Sequence, residues 1–308
     1  MDQAAALRNL MEETRRPTAA ADQAGIRSPN GQAAPATGPR LLAITSGKGG
    51  VGKSNVSVNL GLCLARMGRR TWLWDVDLGL GNADILLGLS PRYDLGHVVF
   101  GDRTLEEIVI EGPEGLRLIP GGSGWHQLAQ LSQWRLNRLV SDLTSLGSDA
   151  DFILMDTGAG LGRGVIQFAL AAREVILVTT PEPTALADAY GLLKVVFHVN
   201  PGVRVYLVIN QARHSGEAHE AYQRLNDAVE RFLQRSVLWL GSLPHDEAVP
   251  ASVRRRQPFV LAFPRSPAAQ AVERIAARLL GEAAGEGVPE PAGGLGGVLR
   301  RMVRLLRR

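Results

Sequence analysis

The sequence predicts an α/β fold in which a mostly parallel sheet of about seven or eight strands carries helices on both faces. Three observations predict it. Short continuous apolar runs recur at 41–45, 71–75, 116–120, 152–156, 175–179, 204–210 and 237–240, the pattern of strands buried on both sides. Helix-like stretches separate them, at 55–67, 127–146, 164–171, 184–199, 217–235 and 267–281. The first apolar run passes directly into the glycine-rich string SGKGGVGKS at 46–54 and then into a helix. No internal repeat interrupts this alternation.

The elements divide in order. Residues 1–16 contain neither Gly nor Pro after the initiator and read as a short helix. Residues 17–39, rich in Ala, Pro, Gly and Gln, read as a disordered linker. Residues 40–284 are the folded body. A chain of 308 residues that is 45% hydrophobic suffices for one large α/β domain of this kind. Residues 285–294 (GEGVPEPAGG) form a second linker, and 295–308 a terminal helix.

The glycine-rich string carries the chemistry. Without side chains in the way, backbone N–H groups at Gly47, Gly49, Gly50, Val51 and Gly52 can converge on phosphate oxygens, and the helix entered at Lys53–Ser54–Asn55 adds its N-terminal dipole. Lys53 is placed to reach the β- and γ-phosphates, and the Ser54 hydroxyl to ligate Mg2+. The strand–loop–helix context makes the body a single P-loop NTPase domain that uses ATP/ADP and Mg2+. Lys48 has no task in such a loop within one chain. It points to a second copy, and so to a homodimer formed when ATP is bound.

Carboxylates follow at the strand ends, where open α/β sheets bind ligands. The run 71–75 continues as DVDLGLGNAD. Asp77 is assigned to the attacking water and, with Asp75, to the Mg2+ shell. The run 152–156 ends in Asp156 and is followed by TGAG. Asp156 is expected to hold Mg2+ or its water, while Gly158 and Gly160 let backbone approach the γ-phosphate and respond to its loss. Asn210, Pro244 and Asp246, at two later strand ends, are candidates to frame the adenine; an Asn side chain both donates and accepts. A turn or helix cap remains open for each.

These residues resemble the deviant-Walker-A ATPases of the MinD/ParA class. KGGVGKS at 48–54, the Asp75/Asp77 pair and the Asp156 strand carry the likeness, which spans about 40–280. By that resemblance Lys48 crosses the dimer interface to the partner's nucleotide. Within the class, DQAAALR at 2–8, DLGLGNADILLG at 77–88 and TTPEPTALADAYGLLK at 179–194 are similar to the FlhG (FleN/YlxH) family of flagellar number and placement regulators. The family implies that the N-terminal segment, through Asp2, Gln3, Leu7 and Arg8, stimulates the signal-recognition-type GTPase FlhF. It also suggests flagellar switch or transcriptional regulator proteins as partners.

Charge and cysteine usage narrow the class further. The net charge is +4, but Arg300, Arg301, Arg304, Arg307 and Arg308 supply five of the positive charges, and 4 − 5 = −1 remains for the rest. A body-wide attraction to nucleic acid is therefore not expected. The lone Cys63 excludes an intrachain disulfide and a multi-cysteine cluster, and it reads as a small buried apolar residue. No apolar run approaches a membrane span and no signal peptide is read. The expected location is cytoplasmic.

The tail 295–308 segregates at 100° per residue. Leu295, Val298, Leu299, Met302, Val303, Leu305 and Leu306 fall on one face and the five arginines on the other. This suits a helix lying in an anionic membrane interface, with Val298, Leu299, Met302, Leu305 and Leu306 inserted; docking on the body without ATP is compatible with it. His214, Glu217, His219 and Glu220 lack metal-ligand spacing, and Arg254–Arg256 reads as a solvated face. The combined expectation is an ATPase that dimerises, reaches the inner face of the cytoplasmic membrane reversibly and regulates flagella. The rivals are a ParA-like partition ATPase on nucleic acid, a division-site MinD, a metabolic member of the fold such as an ATP-dependent ligase, and a scaffold that binds nucleotide without needing turnover.

Overall fold

The computed structural model describes residues 39–77, 81–122, 141–172 and 174–285. The expectations for 1–38 and 286–308, including the partner-binding and membrane-inserting residues, lie outside these, as does most of the helix expected at 127–146; its last turns, 141–146, are helical.

One sheet of eight strands runs in the order β3-β4-β2-β5-β1-β6-β7-β8. The strands are β1 (Arg40–Ser46), β2 (Thr71–Val76), β3 (Ile110–Glu111), β4 (Arg117–Ile119), β5 (Phe152–Ala159), β6 (Glu174–Thr179), β7 (Arg204–Ala212) and β8 (Leu238–Pro244). Every neighbouring pair is parallel except β3–β4. The two-residue β3 was not legible as an apolar run, because a strand that short has no period to read.

The helices are α1 (Lys53–Arg66), α2 (Ala83–Leu87), α3 (Leu95–Phe100), α4 (Leu105–Ile108), α5 (Arg163–Ala171), α6 (Pro183–Val199), α7 (Ser215–Leu233), α8 (Ala248–Arg254), α9 (Phe259–Ala262) and α10 (Pro267–Gly285). The long ones fall where periodicity places them. The short α3 and α4 are instead made by capping boxes: Asp94 with His97, and Thr104 with Glu107, each satisfy a helix's first amides reciprocally.

The alternation of β1 shows how the sheet divides the core. Leu41 and Ala43 join one apolar cluster with Trp72, Trp74 and α5–α7 residues such as Phe168, Leu192 and Leu225; Leu42 and Ile44 join the other with Leu73 and residues of α1 and α10 such as Leu60 and Ile275. All of β2 and β6 is buried, as a sheet covered on both faces requires. Cys63 is buried in the second cluster, its thiol pushed up to about 12 by desolvation.

The N-terminal end of the sheet is fastened by Arg40. Its guanidinium pairs with buried Glu174 at 2.8 Å and donates to the Leu279 carbonyl of α10 at 2.9 Å; the Tyr206 hydroxyl donates to the same glutamate at 3.1 Å. Burial opposes the Arg40 charge, but Glu174 outweighs it and the guanidinium titrates above its ordinary value. A buried ion pair survives when it is hydrogen-bonded on several sides, and this one helps tie β1 to α10, the last helix among the described residues.

Candidate nucleotide-binding site

The chain diverges from β1 in both directions, to β5, β2 and β4 on one side and to β6, β7 and β8 on the other. Such a switch point opens a crevice at the strands' carboxyl ends, and the glycine-rich loop lies there. Gly50 and Gly52 sit at φ 80° and 87°, the left-handed region where a side chain is strained. The loop is also clamped from outside. A Cβ on Gly47 would collide with the backbone of Asp188 and Ala189 in α6, and one on Gly52 with the Asn210 amide. The Asn210 amide donates to the Val51 carbonyl at 2.8 Å, and Gly160 N–H to the Ser46 carbonyl at 2.8 Å.

Lys53 opens α1 and lies buried. Its ammonium donates to Asp156 Oδ1 at 2.7 Å and to the Ser54 hydroxyl at 3.3 Å; the Ser57 hydroxyl also donates to Asp156 Oδ1, at 2.8 Å. Asp156 Oδ2 is buried with no hydrogen-bond partner. A buried orphan acceptor is costly, and beside a phosphate loop it fits a water of a hydrated Mg2+. Ser54 and Asp156 are thus the residues that would hold the metal.

Asp75 and Asp156 sit in register on β2 and β5. Asp75 Oδ1 accepts from the Asp77 amide at 3.1 Å and Oδ2 from the Ala83 amide at 3.2 Å, so both oxygens tie down the connection that carries Asp77. Gly81 packs so closely that a Cβ there would lie 2.6 Å from Asp75 Oδ2. The Asp77 carboxylate faces β5: a Cβ on Gly158 would lie 3.4 Å from Asp77 Oδ1. Asp77 therefore stands beside the carboxyl end of β5, just past Asp156.

Desolvation first, and the Asp156 charge second, push the Asp75 carboxyl up to about 7. Below about pH 4 it is protonated folded and unfolded alike. Between about pH 4 and 7 the folded state alone keeps the proton, so the stability it gains falls as pH rises through that window and is gone above it. For metal- and nucleotide-free protein we expect wild type to gain a few kcal/mol relative to Asp75→Asn between pH 8 and pH 5. Chemical denaturation of both across that range checks it; a flat difference would contradict the burial argument.

Lys48 is 38% exposed, at the start of the loop. It donates to Glu182 Oε1 at 2.8 Å and to the Thr184 hydroxyl at 2.9 Å. Beyond them a 510 Å3 cleft lies at the ends of β6, β7 and β8, lined by Thr180, Glu182, Gln211, Arg213, Glu217 and His245 among others. Pro244 closes β8 one residue before His245. Asp246 spends both oxygens on backbone, accepting from Ala248 and Ala268 amides at 2.9 Å each, so it anchors α8 and α10 behind the cleft. Glu182, Gln211 and Arg213 carry no sequence signal beyond their place at or just past a strand's carboxyl end. Within this wall His214 accepts from the Glu217 amide as the cap of α7, and Glu217 pairs with Arg213 at 2.8 Å.

The comparisons with known proteins agree with this geometry. The family model described as CobQ/CobB/MinD/ParA nucleotide binding domain matches residues 42–259. The antiactivator FleN of Pseudomonas aeruginosa is 38% identical over 78% of this chain and 86% of its own length. The flagellum site-determining protein YlxH of Helicobacter pylori is 32% identical over 87% and 90%. Among solved structures, the septum site-determining protein MinD of Pyrococcus horikoshii, complexed with Mg-ADP, superposes with a TM-score of 0.66 at 28% identity, over 80% of this chain and 98% of that one. A buried lysine on Asp156, Asp75 in register with that aspartate and these relatives together make the chain a member of the CobQ/CobB/MinD/ParA nucleotide-binding family, within its FlhG (FleN/YlxH) branch.

Proposed function

We propose that this protein is an Mg2+-dependent ATPase that dimerises on ATP, associates reversibly with the membrane and regulates flagellar number and placement through an FlhF-type GTPase. The observation that carries the reading is the division of labour between two lysines of one loop. Lys53 is buried against Asp156, while Lys48 is at the surface.

The residues supply the steps. The loop amides and the N-terminus of α1 cradle the β- and γ-phosphates. Their negative charge competes with Asp156 for Lys53, drawing the ammonium onto the phosphates and freeing the carboxylate. Mg2+ held by Ser54 and Asp156 would offset charge on the phosphate oxygens. Asp77, fixed through its backbone by Asp75 and set beside Gly158, orients the water for in-line attack. Lys48 leaves the chain's surface to meet the partner subunit's γ-phosphate, so hydrolysis removes its target and the pair separates. The names of FleN and YlxH support the flagellar reading.

The tail 295–308 turns dimerisation into membrane residence. A basic residue near an anionic bilayer contributes roughly 1 kcal/mol, so one short helix binds weakly; two on one dimer gain effective concentration. With vesicles containing anionic lipid, the full chain should sediment at least tenfold more with ATP than with ADP, and the chain lacking 295–308 should stay in solution. Equal sedimentation with both nucleotides would defeat the proposal. The partition reading draws on the exposed run Arg254–Arg256; salt-sensitive DNA retention that survives loss of the tail would favour it.

A further inference from the structure

Lys48 is not waiting free for a partner. Glu182 is the residue before Pro183, which opens α6, and Thr184 follows it. The Thr184 hydroxyl donates to Glu182 Oε1 at 2.5 Å and accepts from Lys48, so the three polar groups close a ring. The Lys48 backbone is fixed as well: its carbonyl accepts from the Ser46 hydroxyl at 3.0 Å. Gly47 is packed against Asp188 and Ala189, one to two turns further along α6. Loop and helix are therefore one surface, and the ammonium is pinned across it.

We propose that Glu182 and Thr184 form a resting dock for Lys48, which its own subunit must release before the lysine reaches a second copy's triphosphate. The dock competes with assembly: each subunit breaks an ammonium–carboxylate contact to form a dimer. It is partly exposed, with Glu182 53% accessible, so it is weak. Weakness suits a threshold, since one dock alone would not block a triphosphate of higher charge. Two docks open per dimer, so the effect on the dimer constant is the square of the effect on one subunit. The dock also holds the Glu182 carboxyl below its ordinary range, chiefly through the Lys48 hydrogen bond.

This inference rests on the ATP-dependent dimer proposed above, and the test separates the two. The full chain is brought to saturation with a non-hydrolysable ATP analogue, and its dimer dissociation constant is measured by analytical ultracentrifugation. Glu182→Gln keeps the shape and removes the charge. With about a threefold easier release per subunit, the constant should fall about tenfold, and Thr184→Ala should lower it in the same direction by less. In a Lys48→Ala background neither substitution should shift the residual association. An unchanged or raised constant in both Glu182→Gln and Thr184→Ala, with wild type dimerising normally, overturns the dock and leaves the dimer standing. A shift that persists without Lys48 also overturns it. Wild type remaining monomeric under the analogue defeats the dimer reading itself.

Discussion

Alanine at Lys48 is expected to abolish ATP-dependent dimerisation while the monomer stays folded. Removing one side of a close interfacial charge pair costs about 2 kcal/mol or more, roughly thirtyfold in affinity. A two-fold dimer carries the loss twice, so the dissociation constant should rise about 10^3-fold. Folding should be indifferent, because Lys48 is exposed and its contact with Glu182 is a surface pair. Sedimentation with a non-hydrolysable analogue, beside a thermal melt, checks both halves. A dimer fraction equal to wild type would mean that the subunits meet through another surface.

Alanine at Asp77 should leave ATP bound and stop its turnover. The residue is two positions past a carboxylate that fastens its amide, and its own carboxylate stands beside Gly158. That suits orientation of a water, and loss of a positioned general-base-type group slows chemistry by about 10^2-fold or more. Single-turnover hydrolysis separates this from slow product release. The trapped dimer is expected to accumulate on anionic vesicles with ATP to a greater extent than wild type. Normal single-turnover rates in Asp77→Ala would remove the residue from the reaction.

Much of this architecture is readable along the chain because its strands are buried on both faces. Apolar runs such as Val175–Val178 stand out wherever both sides must be dry. The phosphate loop is equally visible, since positive φ at Gly50 and Gly52 and close backbone approach at Gly47 leave few residues to choose from. What escapes is which partner a polar side chain takes once the chain has folded. Asp75 looks like a metal ligand from its spacing, yet its oxygens turn to the amides of Asp77 and Ala83. Asp246 looks like a base contact, yet it caps Ala248 and Ala268. The Lys48 dock joins residues 134 and 136 positions apart, and only the placement of β6 beside β1 creates it. Short helices such as Leu105–Ile108 escape for a different reason: their caps, not their apolar period, make them.

The clasp of Arg40 on the Leu279 carbonyl has a mechanical corollary. Arg40, where β1 begins, grips the Leu279 carbonyl of α10, so the first and last elements of the described body are joined at one corner. A load applied to either of these elements is delivered to the same corner of the domain.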